Sequence, residues 1–164
     1  MQSLEIDREG LTSTVASALI ATLNAELSAL YPEPGATHFT LDQNEVAPGH
    51  GIFVVARWHG RPVGCGALRS VRDATLTHQL GPRVGELKRM YVTREVRGQG
   101  VGRALLDRLE AEARTLGLTR LVLETGTRQV EALALYHRAG FTPIPAYGEY
   151  AASSTTSVCM AKDL

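Results

Sequence analysis

Apolar residues recur at the spacing of an α-helix in several segments of the chain. Thr12–Leu30 has an apolar residue on every turn, and the proline-containing stretch Tyr31–Gly35 ends that helix. A second amphipathic helix begins at Val101 and reaches Gly117, a typical C-terminal cap. A shorter helical pattern covers Thr127–Ala139 and is closed by a glycine. Each of these segments predicts a helix with one buried face.

Other runs are rich in β-branched and apolar residues and predict strands. In chain order they are Leu4–Ile6, Ile52–Trp58, Pro62–Val71, Val84–Val92, Leu118–Glu124, Phe141–Pro145 and Thr155–Ala161. Gly64 and Gly66 lie inside one of them and indicate a bulge or the close approach of another element. The pattern predicts a loop over Asp73–Pro82. Residues 35–50 are weakly periodic, which leaves a short helix or a loop open.

The order of these elements predicts a mixed α/β protein with a strand–helix–strand–helix unit near the middle of the chain. The chain has 164 residues, of which 44% are hydrophobic and 21% charged, so we expect residues 1–164 to form one domain. A chain of this length buries about two thirds of the surface that its unfolded form exposes.

Charge and composition narrow the classes of function. The formal net charge is zero, which argues against a nucleic-acid partner. No apolar run reaches the roughly 18 residues of a membrane helix, and the N-terminus lacks a signal-peptide pattern, so we expect a cytoplasmic protein with no membrane partner. The two cysteines, Cys65 and Cys159, fit no metal-binding spacing, and no metal is expected. Both lie in predicted strands, which favours buried thiols.

A glycine-rich segment, Arg97-Gly98-Gln99-Gly100-Val101-Gly102, precedes the second helix. Its glycines leave backbone N–H groups unshielded beside the positive dipole end of a helix. Such a nest binds phosphate or pyrophosphate, and Arg97 and Arg103 can add charge-assisted hydrogen bonds. The structural alternative is a tight glycine-rich turn that binds nothing.

Other phosphate-binding motifs fit this segment poorly. A dinucleotide fingerprint requires Gly-x-Gly-x-x-Gly, and the third position after Gly98 and Gly100 is Arg103. The preceding strand, Glu86–Val92, is too polar for the first buried strand of such a unit. A Walker loop requires Gly-Lys-Ser/Thr, which is absent from the sequence. A nucleotide-binding module is therefore a weak alternative.

The pattern Arg-x-x-Gly-x-Gly from Arg97 to Gly102 resembles the pyrophosphate-binding signature of the GNAT family of N-acetyltransferases. Glu86–Val92 resembles the fourth strand of that family. Leu135–Phe141, with the pattern Leu-Tyr-x-x-x-Gly-Phe, resembles its characteristic closing motif. These motifs stand in the family's order, and the correspondence runs from about Ile52 to Phe141.

This resemblance implies a mixed, mostly antiparallel central sheet that is flanked by helices. Two parallel strands, Val84–Val92 and Leu118–Glu124, would splay into a V that admits the pantetheine arm of acetyl-CoA, the implied co-substrate. Gln129 stands where family members often carry an asparagine that contacts pantetheine. The implied cofactor-binding residues are Met90, Tyr91, Val92, Arg97, Gly98, Gln99, Gly100, Val101, Gly102, Arg103 and Gln129.

The resemblance also implies catalytic residues. Tyr136 matches the tyrosine that commonly protonates the CoA thiolate. Glu86 stands where histone-acetylating members place their general base, and the alternative is a structural or substrate-orienting carboxylate paired with Lys88 or Arg89. For Glu124, which ends the neighbouring strand, a helix cap or dipole partner is the favoured role.

The position of Glu86 depends on the shape of its strand. Without a bulge, Glu86, Lys88, Met90 and Val92 would share one face. The V-shaped opening implies a bulge nearby, so this face assignment stays open.

Together these inferences predict transfer of an acetyl group from acetyl-CoA to a primary amine of a small molecule or peptide. Direct attack in a ternary complex is expected, because no cysteine is placed for a covalent intermediate. The alternative is a non-catalytic acyl-CoA sensor, which would need neither Tyr136 nor Glu86. Helix Thr12–Leu30, segment 31–50 and loop 142–154 are expected to bind the acceptor, but their sequences do not identify it. Dimers are common in the family, so a homodimer is a further possibility.

Overall fold

A computed structural model describes residues 3–38 and 40–164. In these ranges the strands β1–β7 and the helices α1–α4 alternate in a mixed order. The strands are Leu4–Arg8, Gly51–Trp58, Arg61–Ser70, Val84–Val92, Arg120–Gly126, Thr142–Ile144 and Ser157–Asp163. The helices are Thr14–Leu30, Ala74–Leu80, Val101–Thr115 and Val130–Arg138. Short 3₁₀ turns lie at Gln43–Val46, Arg94–Val96 and Gly148–Ser153.

The strands form one sheet in the order β1-β2-β3-β4-β5-β7-β6. Every neighbouring pair is antiparallel except β4 and β5, which run parallel. The mixed, mostly antiparallel sheet with one parallel pair is therefore confirmed.

Helices cover both faces of the sheet, because successive residues of the buried strands are apolar and their side chains point alternately to the two faces. The predicted stripe of α3 is confirmed: Val101, Leu105, Leu109 and Ala113 are each at most 1% exposed. They pack with alternate residues of β2, including Val54, in the largest core cluster. Side chains of the opposite parity on β2 pack under α1, whose Ala16, Leu19 and Leu23 are buried there.

The predicted loop over Asp73–Pro82 was wrong, because this segment contains α2. The Asp73 side chain accepts a hydrogen bond from the backbone N–H of Leu76 at 2.9 Å and so caps the helix. Leu76 and Leu80 lie one turn apart and pack into a cluster at the end of the sheet. A short amphipathic pattern bounded by Asp and Gly was enough to form a helix once this apolar surface was available.

The parallel pair separates part of the way along. β4 pairs with β5 only from Val84 to Leu87, opposite Arg120–Leu123, although both strands continue further. A bulge accompanies the separation: Cys65 is opposite Tyr91 and Ala67 is opposite Lys88, so one extra residue lies in β4.

Arg89 stands at the bulge with φ +57°, in the left-handed region. The bulge resolves the face assignment of β4: Met90 and Val92 pack with the α3 cluster, whereas Glu86 contacts tyrosines on the other face. Gly66 is opposite the bulge, and an added Cβ would lie 2.6 Å from the sulfur of Met90. The expected close approach at this glycine is thus confirmed.

Candidate active site

A cavity opens where β4 and β5 separate. The β4 bulge forms one wall, the end of β5 and the start of α4 form the opposite wall, and the C-terminal half of α1 covers the top. The cavity is lined by Met90 and by polar or ionisable side chains, which include His38, Lys88, Arg89, Glu124, Gln129 and Tyr136.

Tyr136 lies on α4 and lines this cavity. Its ring packs edge-on against Phe141 with ring centres 5.8 Å apart, and the residue is 5% exposed. Among the described residues, none forms a hydrogen bond with the Tyr136 hydroxyl. Burial raises the pKa of Tyr136, so the hydroxyl is protonated at neutral pH and can donate to a ligand.

Glu124 near the end of β5 lines the same cavity and is half-buried. Burial raises the pKa of its carboxyl to about 7, although a hydrogen bond from Ser157 and the charge of Lys88 act in the opposite direction. A carboxyl group that titrates near neutral pH is suited to accept a proton from an ammonium or amine.

Glu86 has a different environment, although it lies on the adjacent strand. Its carboxylate accepts hydrogen bonds from Arg69 Nε at 2.7 Å, Tyr147 at 2.6 Å and Tyr150 at 3.3 Å. The residue is 1% exposed and does not line the cavity. Of the two roles expected for Glu86, this geometry favours the structural carboxylate, with Arg69 rather than Lys88 or Arg89 as its ionic partner.

Two cations stand on the β4 wall, across the cavity from Glu124. The ammonium of Lys88 donates to the backbone carbonyl of Thr40. Burial lowers the pKa of Lys88, while the charge of Glu86 acts against that shift. The Arg89 guanidinium donates to Asn24 Oδ1 at 2.6 Å and to the His38 carbonyl at 2.9 Å. These two cations make the β4 wall of the cavity electropositive.

The glycine-rich loop leads into α3 as expected. Gly98 and Gly100 have φ of +79° and +90°, and Gly100 is the N-cap residue. No described residue outside the helix accepts a hydrogen bond from the N–H groups of Gly98 to Arg103. These donors surround a helix N-terminus with no atom within 4 Å of a Cβ added at Gly98 or Gly100, which leaves room for a phosphate.

The two arginines beside the loop are engaged in contacts within the protein. Arg97 donates through Nε to the Val92 carbonyl at 2.8 Å and through Nη2 to Glu26 at 3.1 Å. Its guanidinium also lies 5.6 Å from the centre of the Tyr91 ring. Arg103 pairs with Asp107 at 3.0 Å on the exposed side of α3. In this structure the loop therefore presents backbone N–H groups, and Arg97 fixes the loop to α1 and β4.

The remaining predicted cofactor residues divide into groups with different surroundings. Met90 lines the cavity, whereas the Tyr91 side chain packs under α1 and its hydroxyl donates to Glu26 at 3.3 Å. Val92 packs towards the α3 cluster, and Val101 is buried in it, so only the backbone of Val101 is available to a ligand. Gln99 is exposed.

Gln129 caps α4 and lines the cavity. Its Oε1 accepts a hydrogen bond from the Gly126 N–H at 2.8 Å, which stabilises the turn between β5 and α4. An added Cβ on Gly126 would meet the Tyr31 hydroxyl, and that hydroxyl accepts from the Arg128 N–H at 2.8 Å. The turn is thereby attached to the C-terminal end of α1.

Neither Lys88 nor His38 was predicted to line the cavity, and for Glu124 a cap or dipole partner of the following helix was favoured over a place in the cleft. His38 contacts Ser153 at 2.7 Å and Glu149 at 3.0 Å, which links the segment before β2 to the turn Gly148–Ser153. The only sequence signal for Lys88 was its place two residues after Glu86, and the bulge that follows it could not be located from composition.

Within residues 3–38 and 40–164, no group of three or more His, Cys, Asp or Glu side chains could hold a metal ion. In the same ranges no helix is both long and apolar enough to cross a membrane.

Comparison with known proteins identifies relatives of this chain. Residues 17–141 match the acetyltransferase (GNAT) family. The chain is 37% identical over 150 residues to IAA acetyltransferase from Azospirillum brasilense, and the match covers 92% of each protein. It is 34% identical over 134 residues to mycothiol acetyltransferase from Beutenbergia cavernae, with 78% of this chain and 42% of that protein covered.

Comparison with solved structures also finds acyltransferases. A Klebsiella pneumoniae protein named as an acyl-CoA N-acyltransferase superimposes with a TM-score of 0.77 at 34% identity, covering 98% of this chain and 97% of that one. The PaiA N-acetyltransferase from Thermoplasma acidophilum, solved with coenzyme A, gives a TM-score of 0.70 at 17% identity and covers 99% of each chain. At that lower identity the likeness supports the fold alone.

Proposed function

Because this chain belongs to the acetyltransferase (GNAT) family, and is thus an acetyl-CoA-dependent acyltransferase, we propose that it acetylates a primary amine of a small molecule or peptide by direct attack in a ternary complex. The observation that carries this proposal is one cavity, at the separation of β4 and β5, lined by both Glu124 and Tyr136. One carboxyl titrates near neutral pH, and one phenol stays protonated there.

In this proposal acetyl-CoA binds at the loop before α3 and in the opening between β4 and β5. The N–H groups from Gly98 to Arg103 surround the site for the pyrophosphate, since no described residue outside α3 accepts a hydrogen bond from them. The pantetheine arm enters between β4 and β5, where Met90 and Gln129 line the cavity, and the backbone of Met90 to Val92 is the proposed partner of its amides. Acetyl-CoA supplies a thioester, whose carbonyl carbon is the point of attack.

In this proposal, groups of this chain accept the proton of the amine, polarise the carbonyl and protonate the departing sulfur. Glu124 accepts a proton from the amine, whose nitrogen forms a bond with the carbonyl carbon. The backbone N–H of Met90 or Tyr91 polarises the carbonyl oxygen. As the carbon–sulfur bond breaks, the Tyr136 hydroxyl donates its proton to the departing sulfur.

Glu86 supports the site without touching the reacting atoms. Its carboxylate joins β4 to β3 through Arg69 and to the turn Gly148–Ser153 through Tyr150. That turn also contacts His38, so Glu86 positions the acceptor-side elements rather than receiving a proton. Breaking such a buried pair would destabilise these elements.

A non-catalytic acyl-CoA sensor is the alternative function. A sensor requires the N–H groups of the loop but neither Glu124 nor Tyr136 in the cavity. The presence of both side chains in one cavity, with a Glu124 pKa raised to about 7 and a Tyr136 phenol that stays protonated, argues for the enzyme.

The proposal is tested by release of CoA, detected with a thiol reagent, over a panel of primary amines. The panel includes amino acids, amino-acid amides, polyamines and short peptides, and IAA is added because the Azospirillum relative is named for it. Acceptor-dependent CoA release by the wild-type protein supports the proposal. Silence over the whole panel, with acetyl-CoA binding intact by calorimetry, would favour the sensor.

Tyr136→Phe is the variant that accompanies this panel. It removes a hydroxyl that bonds to no described residue, so folding and CoA affinity should be retained. Loss of a general acid should lower kcat by roughly 10²-fold. An unchanged kcat would exclude Tyr136 as the proton donor while leaving acetyl transfer itself intact.

A further inference from the structure

Lys88 and Glu124 face each other across the opening between β4 and β5. Leu87 and Leu123 form the last pair of the parallel ladder, so Lys88 and Glu124 are the next residue on each strand. Both leucines belong to the α3 cluster, and side chains alternate along a strand, so Lys88 and Glu124 point to the opposite face. Both line the cavity, yet no nitrogen–oxygen pair between these two described residues lies within 4.0 Å.

The Lys88 ammonium is satisfied only by neutral groups in the described part of the chain. It donates to the Thr40 carbonyl and lies 3.4 Å from Thr40 Oγ1, and none of the described carboxylates approaches it within 4.0 Å. Apart from Glu124, two acids lie near Lys88, and both have other partners. Glu86 is bound by Arg69 at 2.7 Å, and Glu149 by His38 at 3.0 Å.

A half-buried cation without an anionic partner is unfavourable, because the protein replaces only part of its hydration. An anionic group on a bound ligand would remove that cost. The guanidinium of Arg89 lies on the same wall and adds to the positive potential there. Since Glu124 stands on the opposite wall, the cavity offers a cation and a proton acceptor separated by a gap.

We propose that the acceptor is an amine that also carries a carboxylate, as in an amino acid, with its carboxylate bound by Lys88 and its amine held at Glu124. This assignment rests on the proposed acetyl transfer and names the substrate class for that same site. An amino acid is complementary to the cavity because its carboxylate has the charge opposite to that of Lys88, and its amine can give a proton to Glu124.

Other acceptor classes fit these walls less well. A polyamine would place a second positive charge near Lys88 and Arg89, which is repulsive at short range. An uncharged amine would leave Lys88 with its neutral contacts alone. A role for Lys88 limited to holding Thr40 in place is the competing structural explanation, and it predicts no preference for carboxylates.

The test compares each amino acid with its primary amide as acceptors. The pairs are glycine and glycinamide, 4-aminobutyrate and 4-aminobutyramide, and phenylalanine and phenylalaninamide. For the wild-type protein we expect kcat/KM to favour at least one acid over its amide. In Lys88→Met, kcat/KM for that acid should fall about 10- to 100-fold, the scale of a lost charge-assisted hydrogen bond, while the value for the amide changes less than about threefold.

Two further variants separate charge recognition from structure. Lys88→Arg keeps the charge and should retain the preference for the acid. Lys162→Met is the matched control, because Lys162 is the other lysine of the sequence and lies away from the cavity. Its ammonium nitrogen is 2.7 Å from a carboxylate oxygen of Glu110. This control should leave the acid-to-amide ratio unchanged. Equal losses on acid and amide in Lys88→Met would assign Lys88 to loop structure and overturn the proposal.

Failure of this proposal can be told apart from failure of acetyl transfer. Efficient acetylation of amides or simple amines, with no preference for acids, would overturn the carboxylate assignment and leave the proposed function standing. If no amine releases CoA, calorimetry with 4-aminobutyrate and its amide on the CoA-loaded protein still decides. Binding of the acid that is lost in Lys88→Met supports the carboxylate site, and no binding, or equal binding in both proteins, overturns it.

Discussion

At the scale of single residues, Glu86 and Glu124 show how one side-chain type acquires two roles on neighbouring strands. Glu86 is 1% exposed, and an arginine and two tyrosines hydrogen-bond its carboxylate. Glu124 lines the cavity, and burial raises its pKa to about 7. The difference follows from the partners that the fold brings to each carboxylate and has no local sequence signal.

The pKa of Glu124 leads to a prediction on pH dependence. As a base, Glu124 must be ionised, so kcat/KM should rise with pH through an inflection near 7. Glu124→Gln should remove that inflection and lower kcat by about 10²-fold or more. The measurement is a pH–rate profile with the best acceptor of the panel. If the inflection persists in Glu124→Gln, another group acts as the base.

The stability of the protein should respond to the same group. The carboxyl titrates near 4.5 ordinarily and near 7 in the folded protein, so the folded state binds more protons between these values. The contribution of Glu124 to the free energy of unfolding therefore falls as pH rises from about 4.5 to about 7. Glu124→Gln should flatten that part of the stability curve.

Glu86→Gln is the matched control for the pH profile. It should keep an inflection, moved below 7, because Glu86 does not line the cavity but its charge contributes to the raised pKa of Glu124. Its effect should instead be on stability: breaking a buried pair costs about 3–5 kcal/mol. We expect the lower end of that range, since Arg69 keeps Glu45 as a partner at 2.9 Å. Loss of the inflection without loss of stability would return the role of base to Glu86.

At the scale of elements, the glycine-rich loop and the β4 bulge form the proposed donor site. Gly100 adopts φ +90° at the N-cap of α3, where an L-residue is strained. The loop motif was recognisable because it is contiguous and short-range. The bulge was expected from the splay, but its position at Arg89 depends on pairing with β3, which a local pattern does not encode.

The loop leads to a prediction on the affinity for CoA. Gly100→Val should weaken CoA binding at least about tenfold, because the added side chain covers the N–H groups that face the pyrophosphate. The matched control is Gly60→Val in the β2–β3 turn, where φ is +79° and no atom lies within 4 Å of an added Cβ. Both variants carry similar backbone strain, roughly 1–2 kcal/mol. Calorimetry should find normal CoA affinity in Gly60→Val, and equal weakening in both would contradict this placement of the pyrophosphate.

At the scale of the whole molecule, the packing of the core bears on the order of the reaction. Cys65 and Cys159 are the two cysteines of the chain; both are buried, and neither lines the cavity. Burial raises the pKa of Cys65 to about 12 and that of Cys159 to about 11. Neither thiol is therefore suited to form a covalent acyl-enzyme.

Rapid mixing with acetyl-CoA alone tests the ternary complex. Without an amine, the protein should release no CoA in a burst stoichiometric with the enzyme. Initial velocities measured against both substrates should give intersecting double-reciprocal lines. A burst together with parallel lines would indicate a two-step route through an acyl-enzyme.

The sequence by itself determined the features that depend on neighbouring residues. Helical and strand periodicity predicted α1, α3, α4 and the strands, and Arg97–Gly102 with Tyr136 indicated the family, the donor and a candidate acid. It failed at α2, whose short apolar pattern is stabilised by packing at the end of the sheet.

Only the tertiary structure decided which charged groups meet in the cavity. Lys88 and Glu124 are far apart in sequence and become opposed because β4 and β5 stop pairing after Leu87 and Leu123. Arg69 reaches Glu86 because β3 lies beside β4 and pairs these two residues in register. Burial, pKa and partner choice depend on such long-range pairing, so the proposed base and the proposed acceptor-binding cation could be inferred only after the strands were in place.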